Sequence, residues 1–231
     1  MHVPQQVWFF LTSDGGGIFE VALLTAQVSG TATCLSVLLG MPLGLWLGIC
    51  EFPGKRVISS LVNYGMGLPP VVVGLVVSLL LWRYGPLGDW QLMYTPTAMV
   101  LAQTLIALPI VIGFTMAAIL SLDPKLRLQL LSLGASWRQA NLMLIKEARL
   151  GLFAALMAGF GRVISEVGAS MMVGGNIKGQ TRVLTTATVM EVGKGNYDVA
   201  LAISFVLLIL SYSVVAILTH LQYKGRHNGN L

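Results

Sequence analysis

Apolar residues are collected into five long runs, which are separated by short polar or basic segments. The runs cover residues 21–49, 57–81, 97–122, 150–173 and 199–221. A helix needs about 20 mostly apolar residues to cross a hydrocarbon core of about 30 Å, and every run meets that length. The pattern therefore predicts an all-α, polytopic bundle of five transmembrane helices in one domain, residues 1–231. The first run exceeds one crossing, so either its helix is tilted or its start, around residues 18–24, lies in the membrane interface.

The composition indicates a membrane protein and excludes a water-soluble one. Of the 231 residues, 55% are hydrophobic and 10% are charged, and the mean hydropathy is +0.79. Soluble domains carry about 25% charged residues, so this chain has too few to cover a water-exposed globule. Its three histidines lack metal-ligand spacing, and no Ser/His/Asp or Cys/His set can be assembled. We therefore expect no metal site and no catalytic site.

The distribution of Lys and Arg predicts how the chain is oriented, because these residues are enriched in cytoplasmic loops. If the loop between the first two runs is cytoplasmic, nine basic residues lie inside, four lie outside, and Arg162 lies within the fourth run. The inner set is Lys55, Arg56, Lys125, Arg127, Arg138, Lys146, Arg149, Lys224 and Arg226; the outer set is Arg83, Lys178, Arg182 and Lys194. We therefore predict a multi-pass protein of the cell (inner) membrane with its N-terminus outside and its C-terminus cytoplasmic. The net charge of +5 reflects this topology and requires no nucleic-acid partner.

The polar segment 123–149 predicts a helical hairpin on the cytoplasmic side. A first helix is expected to begin at Pro124, because proline is common at the first helical position. Gly134 breaks this helix, and Ser136 can cap a second helix that begins at Trp137. The predicted corner, and candidate docking element, comprises Leu133, Gly134, Ala135, Ser136, Trp137 and Arg138.

The residues of the hairpin leave two interpretations open. In the first, the hairpin is a docking element for a separate cytoplasmic protein that drives transport. In the second, it is an amphipathic hairpin on the lipid headgroups, where its five basic residues would also be stable.

Two groups of residues indicate a candidate pathway through the membrane. Arg162 and Glu166 are four residues apart and can pair on one helical face; such residues at membrane depth usually face a bundle interior or an aqueous path. They are either a structural pair or part of the pathway. In the second run, Pro69 and Pro70 remove backbone donors, and free backbone groups need protein or water beside them. The second run, with Asn63, is therefore predicted to line the pathway.

Residues 174–181 only superficially resemble a phosphate-binding loop. A nucleotide loop requires Gly-Lys-Ser/Thr, whereas Gln180 stands between Gly179 and Thr181 here. We predict a tight turn, with no ATP or other cofactor bound by this chain, and a short helix over 181–191. Lys178 and Arg182 are candidate contacts for an arriving anion or its carrier, or ordinary solvated side chains.

Two patches resemble the permease subunits of ABC importers for oxyanions, the group that includes tungstate, molybdate and sulfate permeases. Residues 133–136 read Leu-Gly-Ala-Ser, and residues 166–177 read EVGASMMVGGNI, followed by RVLTT at 182–186. The second patch is most similar to the tungstate branch, and the likeness covers nearly the whole chain. The loop of the family also carries Glu-Ala-Ala and Leu-Pro, whereas residues 128–130 here are Leu-Gln-Leu and residues 146–147 are Lys-Glu. The contacts of the family's Glu are therefore not carried over.

This resemblance implies a type I importer permease that moves an oxyanion, tungstate in the first place and molybdate or sulfate as alternatives. It further implies a homodimer, two cytoplasmic ATP-binding-cassette subunits that use ATP and Mg, and an extracytoplasmic oxyanion-binding protein. The corner of the hairpin would contact the ATPase, and Ser170 in the second patch would lie on the pathway or gate. A stand-alone secondary transporter is the less favoured alternative, because such proteins usually contain internal repeats, which the sequence does not show.

Overall fold

The computed structural model describes residues 15–227, and every regular element in this range is helical. Ten α-helices and one short 3-10 helix, Gly88–Trp90, follow one another within these residues. The α-helices are α1 Gly15–Ile49, α2 Lys55–Met66, α3 Pro70–Leu81, α4 Pro96–Leu120, α5 Pro124–Ser132, α6 Trp137–Glu147, α7 Arg149–Ile164, α8 Gly168–Gly174, α9 Leu184–Gly193 and α10 Tyr197–His227. The predicted all-α architecture is confirmed.

Three helices are individually long and apolar enough to cross a membrane: α1, α4 and α10. α1 and α4 pack closely, because glycines on α1 remove the side chains that would separate the two backbones. A Cβ added to Gly44 would lie 2.6 Å from Cβ of Thr115, and one added to Gly48 would lie 2.7 Å from Cβ of Ile119. Small residues at such contacts are typical of helix pairs in membranes.

Two further spans are bent pairs of helices rather than single helices. α2 and α3 meet at 99°, with residues 67–69 between them, and α7 and α8 meet at 58° across residues 165–167. The first break agrees with the predicted effect of Pro69 and Pro70. The second corrects the prediction of one uninterrupted apolar span over 150–173. If each bent pair counts as one span, the number of crossings is the predicted five.

The two bent pairs pack against each other beside their breaks. α3 crosses α8 so closely that a Cβ added to Gly74 would lie 2.6 Å from Cα of Ala169. In the first turns of the same helices, a Cβ added to Gly168 would lie 2.8 Å from Cγ2 of Val71. The fold therefore brings together two segments of irregular backbone that are about 100 residues apart in sequence. Irregular backbone at membrane depth is tolerated only inside protein or beside water.

Pro109 lies inside α4 without ending it, because the helix runs from Pro96 to Leu120. A Cβ added to Gly65 would lie 2.9 Å from Cβ of Pro109. Pro109 therefore packs against α2 and does not interrupt the span.

Candidate functional site

The hairpin of α5 and α6 has the start and stop signals that its sequence predicts. Pro124 occupies the first turn of α5, and the side chain of Asp123 accepts a hydrogen bond of 2.8 Å from the amide of Lys125. At the start of α6, the amide of Ser136 donates to the Gln139 side chain at 2.7 Å, and the amide of Gln139 donates back to the Ser136 hydroxyl at 3.4 Å. This reciprocal capping box fixes where α6 begins.

The corner between α5 and α6 is an ordered turn. Gly134 has φ +86°, in the left-handed region that glycine adopts without a steric cost. The amide of Ala135 donates to the carbonyl of Leu130, and the amide of Gly134 donates to that of Leu131. This is the hydrogen-bond pattern of a Schellman motif, which satisfies the last carbonyls of a helix. The corner is thus held by its own backbone.

The tip of the hairpin exposes large apolar side chains. Leu133 is 84% exposed and Trp137 is 57% exposed, and the side chains of Ser136 and Arg138 are exposed beside them. Ala135 is half-buried. A surface of this kind suits either of the two predicted roles, docking or contact with the headgroups.

Arg127 connects the hairpin to the rest of the bundle, a role that its sequence did not reveal. Its guanidinium carbon lies 3.6 Å from the centroid of the Trp137 ring. Its Nη1 donates to the carbonyl of Ile49 at 3.3 Å, and its Nη2 donates to Oδ1 of Asn141 at 3.3 Å. One side chain on α5 therefore contacts the last residue of α1 and two residues of α6.

Glu166 caps a helix and does not pair with Arg162. The side chain of Glu166 is 6% exposed, and its Oε1 accepts a hydrogen bond of 2.9 Å from the amide of Ala169 in the first turn of α8. The hydroxyl of Thr185 donates to the Glu166 carbonyl at 3.0 Å. Among the residues that the structure describes, the salt bridges are Lys55–Glu51 and Lys194–Glu191.

The predicted pairing of Arg162 with Glu166 is therefore wrong, for a geometric reason. It assumed one helix through both positions, whereas Arg162 lies in the last turn of α7 and Glu166 lies in the break that follows. Arg162 is half-buried. Its Nε is buried without a hydrogen-bond partner among the described residues.

Ser170 contacts a buried amide that the sequence did not single out. Nε2 of Gln103 on α4 donates to the hydroxyl of Ser170 at 2.9 Å, and the two residues are 2% and 1% exposed. Ser170 is thus enclosed between α8 and α4 within this chain. Asn63, by contrast, is exposed on α2, a helix with no buried residue. Pro69 precedes α3 and Pro70 opens it.

Residues 40–225 match the model of one protein family. This family is described as the binding-protein-dependent transport system inner membrane component. The chain belongs to this family. It is therefore a multi-pass membrane subunit of a transport system, and the predicted permease class is confirmed.

Relatives with assigned names agree with this membership. A probable anion ABC transporter permease protein of Haloferax volcanii is 42% identical over 87% of this chain and 88% of its own length. A tungstate uptake system permease protein of Peptoclostridium acidaminophilum is 41% identical over 92% of this chain and 93% of its own length. The molybdenum transport system permease protein of Escherichia coli (strain K12) is 30% identical over 73% of this chain and 77% of its own length.

The fold is also that of a known ABC transporter. The crystal structure of an amino acid ABC transporter with histidines superposes with a TM-score of 0.65. The match covers 93% of this chain and 96% of the other at 18% identity. This likeness concerns the fold alone.

In this permease, residues 174–181 form the predicted tight turn. The hydroxyl of Thr181 accepts a hydrogen bond of 3.0 Å from the amide of Ile177 and donates to the carbonyl of Gly174. Thr181 is 0% exposed, so the side chain that a nucleotide loop would direct at a metal ion closes the turn instead. Lys178 is exposed at the tip and Arg182 is half-buried.

The helix predicted over 181–191 is present but begins three residues later, at Leu184. The amide of Leu184 donates to the hydroxyl of Thr25 on α1 at 2.9 Å, and Thr185 binds the carbonyl of Glu166 as described above. α9 is therefore attached at its start both to α1 and to the break between α7 and α8.

The far end of α9 carries a small network of charges. Glu191 accepts hydrogen bonds of 2.8 Å from Asn196 and from Lys194. The side-chain hydrogen bond from Asn196, followed by that from Lys194, lowers the pKa of Glu191, and the charge of Arg182 acts in the same direction. The carboxylate stays ionised at neutral pH and holds the turn into α10.

Proposed function

We propose that this permease imports an oxyanion into the cell through a pathway formed by two copies of the chain. Tungstate is the first candidate for this oxyanion. The support for the anion is the relative named as a tungstate uptake permease, which is 41% identical over 92% of the chain. A second relative with the same name, from Campylobacter jejuni, is 37% identical over 70% of the chain. The molybdenum permease of Escherichia coli is 30% identical, so molybdate is the second candidate.

Two cytoplasmic ATPase subunits would drive this transport, and an extracytoplasmic binding protein would deliver the anion. The observation that supports coupling to an ATPase is the ordered, exposed hairpin attached to α1 through Arg127. A capped corner transmits displacement, whereas a loose loop would absorb it. In this proposal residues 133–138 contact the ATPase, which alone holds ATP and Mg.

The proposed orientation places the hairpin in the cytoplasm, the N-terminus outside and the C-terminus inside. It is supported by the nine basic residues on the hairpin side against four on the other, since cytoplasmic loops are rich in Lys and Arg. Lys178 and Arg182 then lie on the outer side, where an anion or its binding protein arrives.

The proposed pathway follows the two breaks, at residues 67–69 and 165–167. Breaks offer free backbone groups, which are stable at membrane depth only beside protein or water. Asn63, Pro69 and Pro70 would line the pathway from one side, and Arg162 would attract the anion from the other. Glu166 and Ser170 would act indirectly, by holding α8 in place.

The test is reconstitution of the permease with its ATPase and binding protein in liposomes. ATP hydrolysis and uptake are measured with tungstate, molybdate and sulfate in turn. We expect tungstate to stimulate both at a far lower concentration than the other anions. Equal stimulation by molybdate would reject tungstate selectivity, and hydrolysis unaffected by every anion would reject the importer proposal.

A further inference from the structure

A cavity of about 660 Å³ lies at the end of the bundle opposite to the hairpin. Its walls come from the first turns of α1, the turn at 178–182, α9 and the start of α10. The hairpin is attached to Ile49, the last residue of α1, whereas the cavity begins at Gly17. At 1.5 Å per helical residue these two ends are about 50 Å apart.

The cavity lies where two candidate membrane spans begin. The candidate membrane spans in α1 and α10 begin at Gly17 and Tyr197, and residues just after both starting points line the cavity. Tyr197 is 63% exposed at this level, and tyrosine is enriched where membrane meets water. A membrane in which both spans begin at this level would bring headgroups and acyl chains to the cavity.

The lining is divided between cationic and apolar side chains. Lys178, Arg182 and Lys194 supply the positive charges, while Leu23, Leu24 and Ile203 belong to the apolar wall. Glu20 and Glu191 are also in the lining, and the formal charges of the five side chains sum to one positive charge.

Two of the cations are available to a ligand. Lys194 is bound to Glu191 at 2.8 Å. Lys178 and Arg182 have no carboxylate within salt-bridge distance among the residues that the structure describes. Arg182 donates one weak hydrogen bond of 3.4 Å to the Asn176 carbonyl, and its Nε is buried without a partner in that part of the chain. A half-buried guanidinium in this state favours an anionic oxygen ligand.

We propose that this cavity binds an anionic phospholipid, with the phosphate at Lys178 and Arg182 and the acyl chains along α1 and α10. A lipid phosphate and a free oxyanion present the same anionic oxygens to these cations. The apolar wall favours the lipid, because only a lipid has acyl chains to place against it. Glu191 is paired with Lys194 at 2.8 Å, which leaves Lys178 and Arg182 as the cations for the phosphate. No residue of the two breaks lines the cavity, so the site does not depend on which anion is transported. Its two cations lie on the outer side, where the proposed function also has an anion or its binding protein arrive.

The experiment measures lipid retained by the purified full-length permease in native mass spectrometry, with phosphatidylglycerol and phosphatidylcholine offered in equal amounts. We expect phosphatidylglycerol to be retained preferentially. The double variant K178Q/R182Q should weaken its retention by about 30-fold, and K178Q alone by about fivefold, as expected for basic residues at an anionic lipid surface. K178Q changes an exposed side chain, so loss of folding cannot account for its effect.

Two controls separate charge at the cavity from charge elsewhere. The variant R83Q removes an exposed cation that is not part of the cavity lining and should retain the lipid as the wild type does. The variant K178R/R182K keeps both charges and should also retain it. Equal retention by K178Q/R182Q and the wild type would overturn the proposal, as would an equal loss in R83Q.

A third arm distinguishes the lipid from a free oxyanion. Millimolar tungstate or glycerol phosphate, which lack acyl chains, should leave the bound phosphatidylglycerol in place. Displacement by either soluble anion would mean that the cavity recognises the anion alone, and the lipid proposal would fail.

Discussion

Arg127 and Trp137 stack across the hairpin, with the guanidinium carbon 3.6 Å from the centroid of the indole ring. The two residues belong to different helices, and the same guanidinium reaches the carbonyl of Ile49 at the end of α1. Trp137 is also one of the exposed residues at the proposed ATPase contact. In the proposed function, Arg127 would therefore help to pass a displacement of the tip to α1.

Replacing Arg127 should weaken this connection. R127Q removes the cation–π contact and at least one charged hydrogen bond, which together stabilise by about 1–3 kcal/mol. We expect a lower unfolding temperature and, in the reconstituted system, ATP hydrolysis that is less stimulated by substrate. R127K should recover only part of the loss, because a lysine cannot form the planar fork.

The matched control for Arg127 is K125Q, which removes an exposed cation from the same helix. It should leave both measurements close to those of the wild type. If K125Q and R127Q had the same effect, the hairpin would depend on its total charge and the Arg127 contacts would not matter.

Gly134 should tolerate asparagine better than valine. Nothing lies within 4 Å of a Cβ added at this position, yet φ is +86°, so the cost of substitution is backbone strain and not collision. A left-handed residue costs about 1–2 kcal/mol for most side chains, and asparagine adopts this region far more readily than a β-branched residue. Unfolding temperatures should fall in the order wild type, G134N, G134V; equal values for the two variants would exclude strain as the cause.

A related variant tests whether the rigidity of the corner matters. Additional glycines inserted beside Gly134 should uncouple ATP hydrolysis from uptake, because the corner would no longer transmit displacement. Uptake that remained dependent on substrate and unchanged in rate would contradict the proposed role of the hairpin.

The hairpin could be predicted from the sequence because its signals are local. Pro124, Gly134 and Ser136 act on residues within four positions of themselves, and each helix of the hairpin begins where they indicate. The signals at the break between α7 and α8 are weaker, since residues 165–167 are Ser-Glu-Val and contain neither glycine nor proline. The break is accompanied by contacts from Thr185 and from the Ala169 amide.

The contacts of Arg127 could not be predicted from the sequence, because they join residues that are distant along the chain. Its sequence neighbourhood identifies it only as one basic residue of a loop, and the count of Lys and Arg treats it like its neighbours. Its partner Ile49 is 78 positions away, a separation at which periodicity and capping rules carry no information. The pairing of α3 with α8 through Gly74 also depends on tertiary contact.

Glu166 should be replaceable by glutamine but not by alanine. E166Q keeps an oxygen that can accept from the Ala169 amide, whereas E166A removes the cap of α8 at a cost of about 0.5–2 kcal/mol. We therefore expect unfolding temperatures near the wild-type value for E166Q and lower for E166A. Because Arg162 is not bonded to Glu166, a double-mutant cycle of R162Q with E166A should show almost no coupling energy. A coupling energy of about 1 kcal/mol or more, as residues in direct contact produce, would restore the pair.

The contact between α3 and α8 should be sensitive to one added methyl group. In G74A the new Cβ would lie 2.6 Å from Cα of Ala169. Because Cα is a backbone atom, a change of side-chain rotamer cannot relieve this collision, and the two helices must separate. Overpacking of this kind costs about 1–3 kcal/mol. The matched control is G30A, whose Cβ would meet nothing within 4 Å and which should be neutral or slightly stabilising, since alanine is the better helix former. Of these two variants, we expect only G74A to lower the unfolding temperature and to impair transport. Transport should suffer because α3 and α8 begin at the two breaks of the proposed pathway. If G74A unfolded at the wild-type temperature, α3 and α8 would be free to separate, and the breaks could not be held in the fixed relation that the pathway requires.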